Sequence, residues 1–352
     1  LSLQNRLILF FLKGISAIEM KQRTVLVIGA GSWGTALASV FARAGNRALI
    51  WDRKQAVLEH IQKYRCHPVF SPDVLLHEGI SACIDLNLAP VLDCVVFVVP
   101  FQKFRQALQQ FRCSGIAAKS IVCASKGLEL GTSALAHQIV VEEFGAEVPF
   151  SQISGPNFAS EVINCCPAAI SVASSNRALR ELLVCMMHST HFRPYLTDDV
   201  IGVELGGALK NVMAIAAGIS DGLNLGSNAR AALMTRGLGE IARLGEALGA
   251  SRNTFMGLSG MGDLVLTCTD DQSRNRRFGL ALARLGASSL AESEVGALVE
   301  GVASAKAVSE MADRLDISMP ISSEIWAIIS GAKSAHAALE TLLSRAPFAE
   351  GT

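Results

Sequence analysis

Short apolar runs and longer periodic stretches divide this chain into two textures. Thr24-Val25-Leu26-Val27-Ile28 is a β-branched run ending at a glycine, and residues 35–44 behind it place small and apolar side chains on one face at helical spacing. Gly45-Asn46 stops that helix, and residues 48–51 form a second strand. Val95-Val96-Phe97-Val98-Val99 before Pro100 is apolar without alternation, the pattern of a strand covered on both faces. Further short strands are predicted at 120–124, 152–154 and 168–173. Strands separated by helical stretches of roughly ten to fifteen residues predict a mostly parallel sheet with right-handed crossovers. Beyond residue 200 strand-like runs nearly vanish, and the periodicity predicts helices at 201–219, 229–248, 274–285, 296–315, 321–331 and 334–345. No internal repeat or low-complexity tract interrupts this order.

A chain of 352 residues exceeds the usual span of one core, so two domains are expected, one at 20–200 and an all-α one at 201–352. Residues 1–19 contain Leu7-Ile8-Leu9-Phe10-Phe11-Leu12 behind Arg6, a signal-like stretch too short to span a bilayer. With Met20 just before the first strand, they read as an extension outside the fold. The 31 basic and 31 acidic side chains create no broad field for nucleic acid or an anionic membrane, so any phosphate must be met by a local cluster. Nine cysteines show no C-x-x-C pair, only the vicinal Cys165-Cys166, and the seven histidines lack metal spacing. Reduced thiols, no metal and a cytoplasmic location are the expectation.

Gly29-Ala30-Gly31-Ser32-Trp33-Gly34 matches G-x-G-x-x-G directly after a predicted strand and directly before a predicted helix, the context that gives the motif its meaning. Gly29 permits the turn, Gly31 removes the side chain that would block a pyrophosphate, and Gly34 lets helix and strand pack closely. Asp52, ending the second strand, is placed to accept from a ribose 2′-hydroxyl, while Arg53 would suit a 2′-phosphate, so NAD and NADP both remain open. The predicted fold class is therefore α/β, a Rossmann-type doubly wound domain followed by an all-α domain.

From Leu205 to Ser220 the only ionisable side chain is Lys210, set among small and apolar residues. Buried there, its pKa would fall toward the range of a general acid or base; the alternative is a lysine whose ammonium runs out to water. Lys126 follows a predicted strand at its C-terminal end, where open α/β sheets place ligands, although a surface loop lysine fits equally. Gly155-Pro156-Asn157 forms a turn. Ser273-Arg274-Asn275-Arg276-Arg277 begins a helix with Ser273 as N-cap, so amides, dipole and guanidinium forks could meet a phosphate; Asp270 and Asp271 offset that field. Asp263, in a glycine-dense stretch, is expected in a tight loop, orienting Lys210 or forming an Asx turn; Glu300 is a weaker candidate in a helical stretch.

In order along residues 22–345, G-A-G-S-W-G-T-A-L-A, V-V-F-V-V-P, S-K-G-L-E, I-S-G-P-N-F-A, the 204–220 helix, G-D-L-V-L-T-C-T, Q-S-R-N-R-R-F-G and V-E-G closely resemble the bacterial NAD(P)-dependent glycerol-3-phosphate dehydrogenases. The resemblance implies reversible oxidation of sn-glycerol 3-phosphate to dihydroxyacetone phosphate, run mainly toward glycerol 3-phosphate for phospholipid synthesis by a cytoplasmic homodimer. It implies Lys210 as proton donor, Lys126 as a contact to cofactor and substrate, and Asp263 as the orienting acid. Gly155 and Asn157 match the substrate loop, with Ala159 beside the cofactor. Ser273, Arg274 and Asn275 match the phosphate set, and Ser32, Trp33, Arg53, Arg274 and Glu300 the cofactor contacts. Asn157 stands where many relatives have Ser or Thr. Two other readings remain beside it: another hydroxyacid or sugar-acid dehydrogenase of Rossmann-plus-helical build, and a non-catalytic dinucleotide sensor.

Overall fold

The computed structural model describes residues 22–86 and 91–346, so the expected extension at 1–19 lies outside the described residues. The first half runs β1 (Thr24–Ile28), α1 (Ser32–Arg43), β2 (Arg47–Trp51), α2 (Gln55–Tyr64), β3 (Ile80–Ala82), β4 (Cys94–Phe97), α3 (Phe104–Cys113), β5 (Ile121–Cys123), α4 (Ala136–Phe144), β6 (Phe150–Ser154), α5 (Ala159–Ile163), β7 (Ala168–Ala173), α6 (Arg177–Met187) and β8 (Phe192–Thr197). These strands form one sheet in the order β3-β2-β1-β4-β5-β6-β7-β8. Neighbours are parallel except β6 and β7.

Both faces of the sheet are covered, which is why its strands read as unbroken apolar runs. Val25 and Val27 of β1 join the core under α1, while Leu26 and Ile28 point to the opposite face with Phe97, Phe104 and Leu108. The sequence pattern misses β3 and β8, the two sheet edges. β3 is three residues long, and β8 carries Pro194, which cannot donate to a ladder and is tolerated at an edge. Order reverses at β1, whose neighbours are β2 and β4, so a crevice opens beyond the carboxyl ends of β1 and β4.

The second half runs α7 (Val200–Gly222), α8 (Gly226–Ala247), α9 (Arg252–Phe255), a π-helical turn (Leu258–Gly262), α10 (Asp263–Thr269), α11 (Arg274–Leu285), α12 (Ser288–Val295), α13 (Glu300–Leu315), α14 (Pro320–Ile329) and α15 (Ala335–Leu343). The helix expected at 296–315 begins at Glu300, because Gly296 takes the left-handed conformation (φ 65°) that closes α12. α7 is long and apolar enough to cross a membrane by composition, but every residue from Gly202 to Ser220 is buried within the protein. It is the axis of the helical core. Its small residues admit close crossings: a Cβ on Gly218 would lie 2.1 Å from the Arg276 carbonyl oxygen, and one on Gly279 2.1 Å from that of Ile215. α7 and α11 therefore touch backbone to backbone.

Acids fix the helix ends, Glu204 and Glu240 from buried positions and Asp199 from a half-buried one. Asp199 caps α7 through the Gly202 N–H at 2.8 Å, and Glu240 accepts from the Ile321 and Ser322 amides at 2.6 and 3.1 Å at the start of α14. Glu204 accepts from the His137 N–H at 2.8 Å and meets its ring Nδ1 at 2.6 Å, tying α7 to α4. Burial pushes the Glu204 carboxyl up, against the pull of His137.

Candidate active site

The glycine loop lies in the crevice at the end of β1. Gly29 has φ 110°, and a Cβ there would sit 2.4 Å from the Val98 carbonyl oxygen on the neighbouring strand segment. A Cβ on Gly34 would sit 1.8 Å from the Gly29 carbonyl oxygen, whereas one on Gly31 would meet nothing within 4 Å. Two glycines are thus demanded by the turn, and the third leaves open space before the N-terminus of α1. No side chain caps that terminus and its first turn holds no acid, so its amides and dipole are available to an anion. These residues fit a dinucleotide pyrophosphate. Asp52 takes the Ala30 N–H on one carboxylate oxygen at 2.8 Å and the Lys54 N–H on the other at 2.9 Å. The acid therefore also orders the loop it serves. Ser32 and Arg53 are exposed, and Trp33 packs partly against the core under α1.

Beyond the carboxyl ends of β5 and β6 stand Lys126 and Gly155, and α7 and α10 bring Lys210 and Asp263 to meet them. One Asp263 oxygen accepts from Lys210 Nζ and the other from Lys126 Nζ, both at 2.6 Å. Lys126 Nζ also reaches the Gly155 carbonyl at 3.3 Å. Asp263 is 1% exposed and Lys210 8%, so Lys210 does not run its ammonium out to water. Burial pulls the Lys210 pKa down from 10.5 to about 8, the Asp263 charge opposing that fall and Lys126 adding to it. Asp263 is not in a tight loop, as the glycines around it led us to expect. It is the first residue of α10, after the π-helical turn, where Gly260 lets the backbone pass Phe255.

That helix explains a residue the sequence reading missed. Thr267, four residues after Asp263 and so on the same helical face, accepts from Lys210 Nζ at 2.8 Å and donates to the Asp263 carbonyl at 2.6 Å. Asn211, beside Lys210 and also buried, carries no ionisable group to mark it in the sequence of α7. It accepts from Asn275 Nδ2 at 2.9 Å, and Asn275 Oδ1 accepts from the Gly301 N–H at 2.9 Å. Asn275 thus joins α11, α7 and α13.

Ser273 is the N-cap of α11, its hydroxyl accepting from the Arg276 N–H at 3.2 Å. The arginines behind it differ. Arg276 is engaged by Asp221 at 2.7 Å, by Asp271 and by the Cys268 carbonyl, whereas Arg274 is exposed and makes no ion pair or hydrogen bond among the described residues. Arg274 still acts on Glu300, whose carboxyl is raised by burial against the attraction of Arg274, Lys126 and Lys210. Glu300, the first residue of α13, is half-buried and accepts from the Phe101 N–H at 3.3 Å. Asn157 donates to the Ala169 carbonyl at 2.8 Å and its own amide oxygen is buried without a partner. Ala159 opens α5 directly after that turn.

Residues 24–180 match the family model for the NAD-dependent glycerol-3-phosphate dehydrogenase N-terminus, and residues 199–340 match that for its C-terminus. The glycerol-3-phosphate dehydrogenase [NAD(P)+] of Thioalkalivibrio sulfidiphilus is 47% identical over 93% of this chain and 98% of its own length. The protein of that name from Bartonella quintana is 44% identical over 93% and 96%. The crystal structure of glycerol-3-phosphate dehydrogenase from Coxiella burnetii superposes with a TM-score of 0.87 at 40% identity, covering 92% of this chain and 99% of that one.

Proposed function

This chain belongs to the NAD-dependent glycerol-3-phosphate dehydrogenase family, and from that premise we propose that it interconverts sn-glycerol 3-phosphate and dihydroxyacetone phosphate, using NAD or NADP. The observation that carries this reading is the pair of lysines, Lys210 and Lys126, that meet on the one buried carboxylate of Asp263. When bound, the nicotinamide supplies a hydride to the carbonyl carbon in reduction and accepts it in oxidation.

The protein's own residues handle the proton and the charge. Lys210 Nζ gives its proton to the carbonyl oxygen as negative charge develops there, and takes it back from the hydroxyl in the reverse direction. A pKa of about 8 keeps both protonation states accessible near neutral pH. Asp263 and Thr267 hold Lys210 Nζ in place, and Asp263 keeps the two ammonium groups from repelling one another. Lys126 contributes a second positive charge at the same oxygen-facing position. Ser273, Arg274 and the amides opening α11 receive the phosphate, with Gly155 and Asn157 shaping the substrate turn and Asn275 holding that helix end in register.

In the same proposal, Gly29, Gly31, Ser32, Trp33, Gly34, Asp52, Arg53, Lys126, Ala159, Arg274 and Glu300 bind the cofactor. A cofactor domain at 20–200 precedes a substrate domain at 201–352. Glycerol 3-phosphate for phospholipid synthesis is the main product. Nine free cysteines support a reducing, cytoplasmic setting, and the homodimer rests on the apolar helical half and the family resemblance. The test is loss of reduced-nicotinamide absorbance on adding dihydroxyacetone phosphate, with each cofactor in turn. Turnover settles the activity and the cofactor preference; cofactor binding without turnover would overturn the reading in favour of a dinucleotide sensor.

A further inference from the structure

Between α2 and β3, the segment after Arg65 folds back under the glycine loop and brings His67 against it. His67 is 6% exposed. Its Nε2 lies 2.8 Å from the Ala30 carbonyl oxygen, and its Nδ1 receives the Phe70 and Val69 amides at 2.8 and 3.2 Å. Since Nδ1 accepts two N–H groups it carries no proton, so the ring is the neutral tautomer with the proton on Nε2, donated to Ala30. The Ala30 N–H is meanwhile held by Asp52 at 2.8 Å. Both polar groups of the loop's central residue are therefore fixed, one by an acid already placed at the cofactor and the other by a histidine outside every motif.

We propose that His67 is a positioning residue for the dinucleotide: by holding the Ala30 carbonyl it fixes the backbone of the glycine loop in the conformation that receives the pyrophosphate. The proposal rests on reading that loop as the cofactor site. A backbone that must approach a phosphate closely gains affinity when it is ordered before binding. The clamp also excludes the imidazolium, because a proton on Nδ1 would face the Val69 and Phe70 amide hydrogens. Burial lowers the His67 pKa from its ordinary 6.5, Asp52 at the end of β2 and the Ala30 carbonyl working against that fall and His60 on α2 adding to it. A histidine released from the clamp returns toward 6.5. The clamped state is thus fully favoured above that value, and is progressively lost as pH falls below it toward the clamped pKa.

Two substitutions separate positioning from local folding. In His67→Asn the amide oxygen can replace Nδ1 and keep the 67–70 turn, but nothing reaches Ala30. In His67→Gln the amide nitrogen can replace Nε2 and keep the Ala30 bond, at the expense of the turn. Binding of NAD+, whose pyrophosphate charge is constant over this range, is measured by calorimetric titration from about pH 8 to about pH 5.5, with Tm recorded alongside. His67→Asn is expected to weaken binding about five-fold above pH 7 with little change in Tm, as the loss of one hydrogen bond would. His67→Gln is expected to bind closer to wild type with a lower Tm. Wild-type affinity should fall as the pH drops below about 6.5, and that fall should be absent in His67→Asn. Wild-type affinity and pH dependence in His67→Asn would overturn the proposal, and if that variant does not fold, a flat wild-type profile would do so. Gly31→Val is the control on the underlying reading: it should abolish binding, and normal binding by it would reject the loop as the cofactor site rather than the clamp.

Discussion

Replacing Lys210 with methionine should destroy the enzyme and stabilise the protein. The ammonium is buried with its neighbours, and its pKa stands at about 8 even with Asp263 attracting it. The fall from 10.5 to about 8, at about 1.4 kcal/mol for each tenfold change, means that holding this charge inside costs about 3 kcal/mol at neutral pH. Methionine fills nearly the same volume without charge, and Asp263 keeps Lys126 as its ion-pair partner at 2.6 Å. The cost applies in full below the folded pKa, where both the native and unfolded chains are protonated. Between about 8 and 10.5 the unfolded chain binds a proton that the native protein has released, so wild-type stability contributed by this group rises with pH. The stability gap in favour of Lys210→Met should therefore be about 3 kcal/mol at pH 7 and close as pH approaches 10.5. Thermal unfolding of both proteins at half-unit pH steps measures it, and single-turnover assays should show the chemical step slowed by roughly 10²–10⁴-fold. A gap of constant size across that range would refute the assignment of a strained buried ammonium, whatever happened to turnover.

The remaining predictions separate groups that look alike in sequence. Arg274→Ala should raise the KM for dihydroxyacetone phosphate by about 10- to 100-fold, the worth of a charge-assisted hydrogen bond, with folding intact; an unchanged KM would remove it from the phosphate site. Arg276→Ala should do the reverse, lowering Tm through loss of the Asp221 and Cys268 contacts while leaving KM near wild type. In the pH dependence of turnover, reduction should decline and oxidation should rise as pH passes through about 8, the Lys210 value, and parallel profiles in the two directions would contradict its role as the proton carrier.

What the sequence disclosed followed from local rules, and what it hid came from contacts between distant segments. β1, the glycine loop and Asp52 were legible because strand, turn and helix are adjacent in the chain, with Gly29 and Gly34 each answering a steric demand within it and Gly31 leaving open space before the helix. Lys210 was legible as an anomaly, one charge in an apolar helix. Thr267 was not, because its value depends on Asp263 opening a helix, and the glycines at 257, 260 and 262 pointed instead to a loop. His67 was not, because its partner at Ala30 is 37 residues away and a histidine in an irregular connection has no period or motif to mark it. Three arginines in one pentapeptide could be named but not ranked. Only the structure shows that Asp221 and Asp271 occupy Arg276 and leave Arg274 free to act elsewhere.

That division of arginines bears on how a chain with 31 charges of each sign can attract a phosphate dianion. Around the site stand Lys126, Lys210 and Arg274, against Asp263 and Glu300. Asp263 spends both oxygens on the lysines, and burial raises the Glu300 carboxyl against the attraction of the three cations, so three cationic groups face two acids and the cationic side of this cluster is in excess. Lys210 is buried and Lys126 partly so, and there a charge is screened less than on the surface, while Arg274 stands exposed at the rim. A dianion arriving there would oppose ionisation of Glu300 and favour the ammonium form of Lys210, so substrate binding itself should raise the pKa of the proton donor. The pH at which reduction declines should accordingly be higher in kcat, which reports the bound state, than in kcat/KM, which reports the free enzyme.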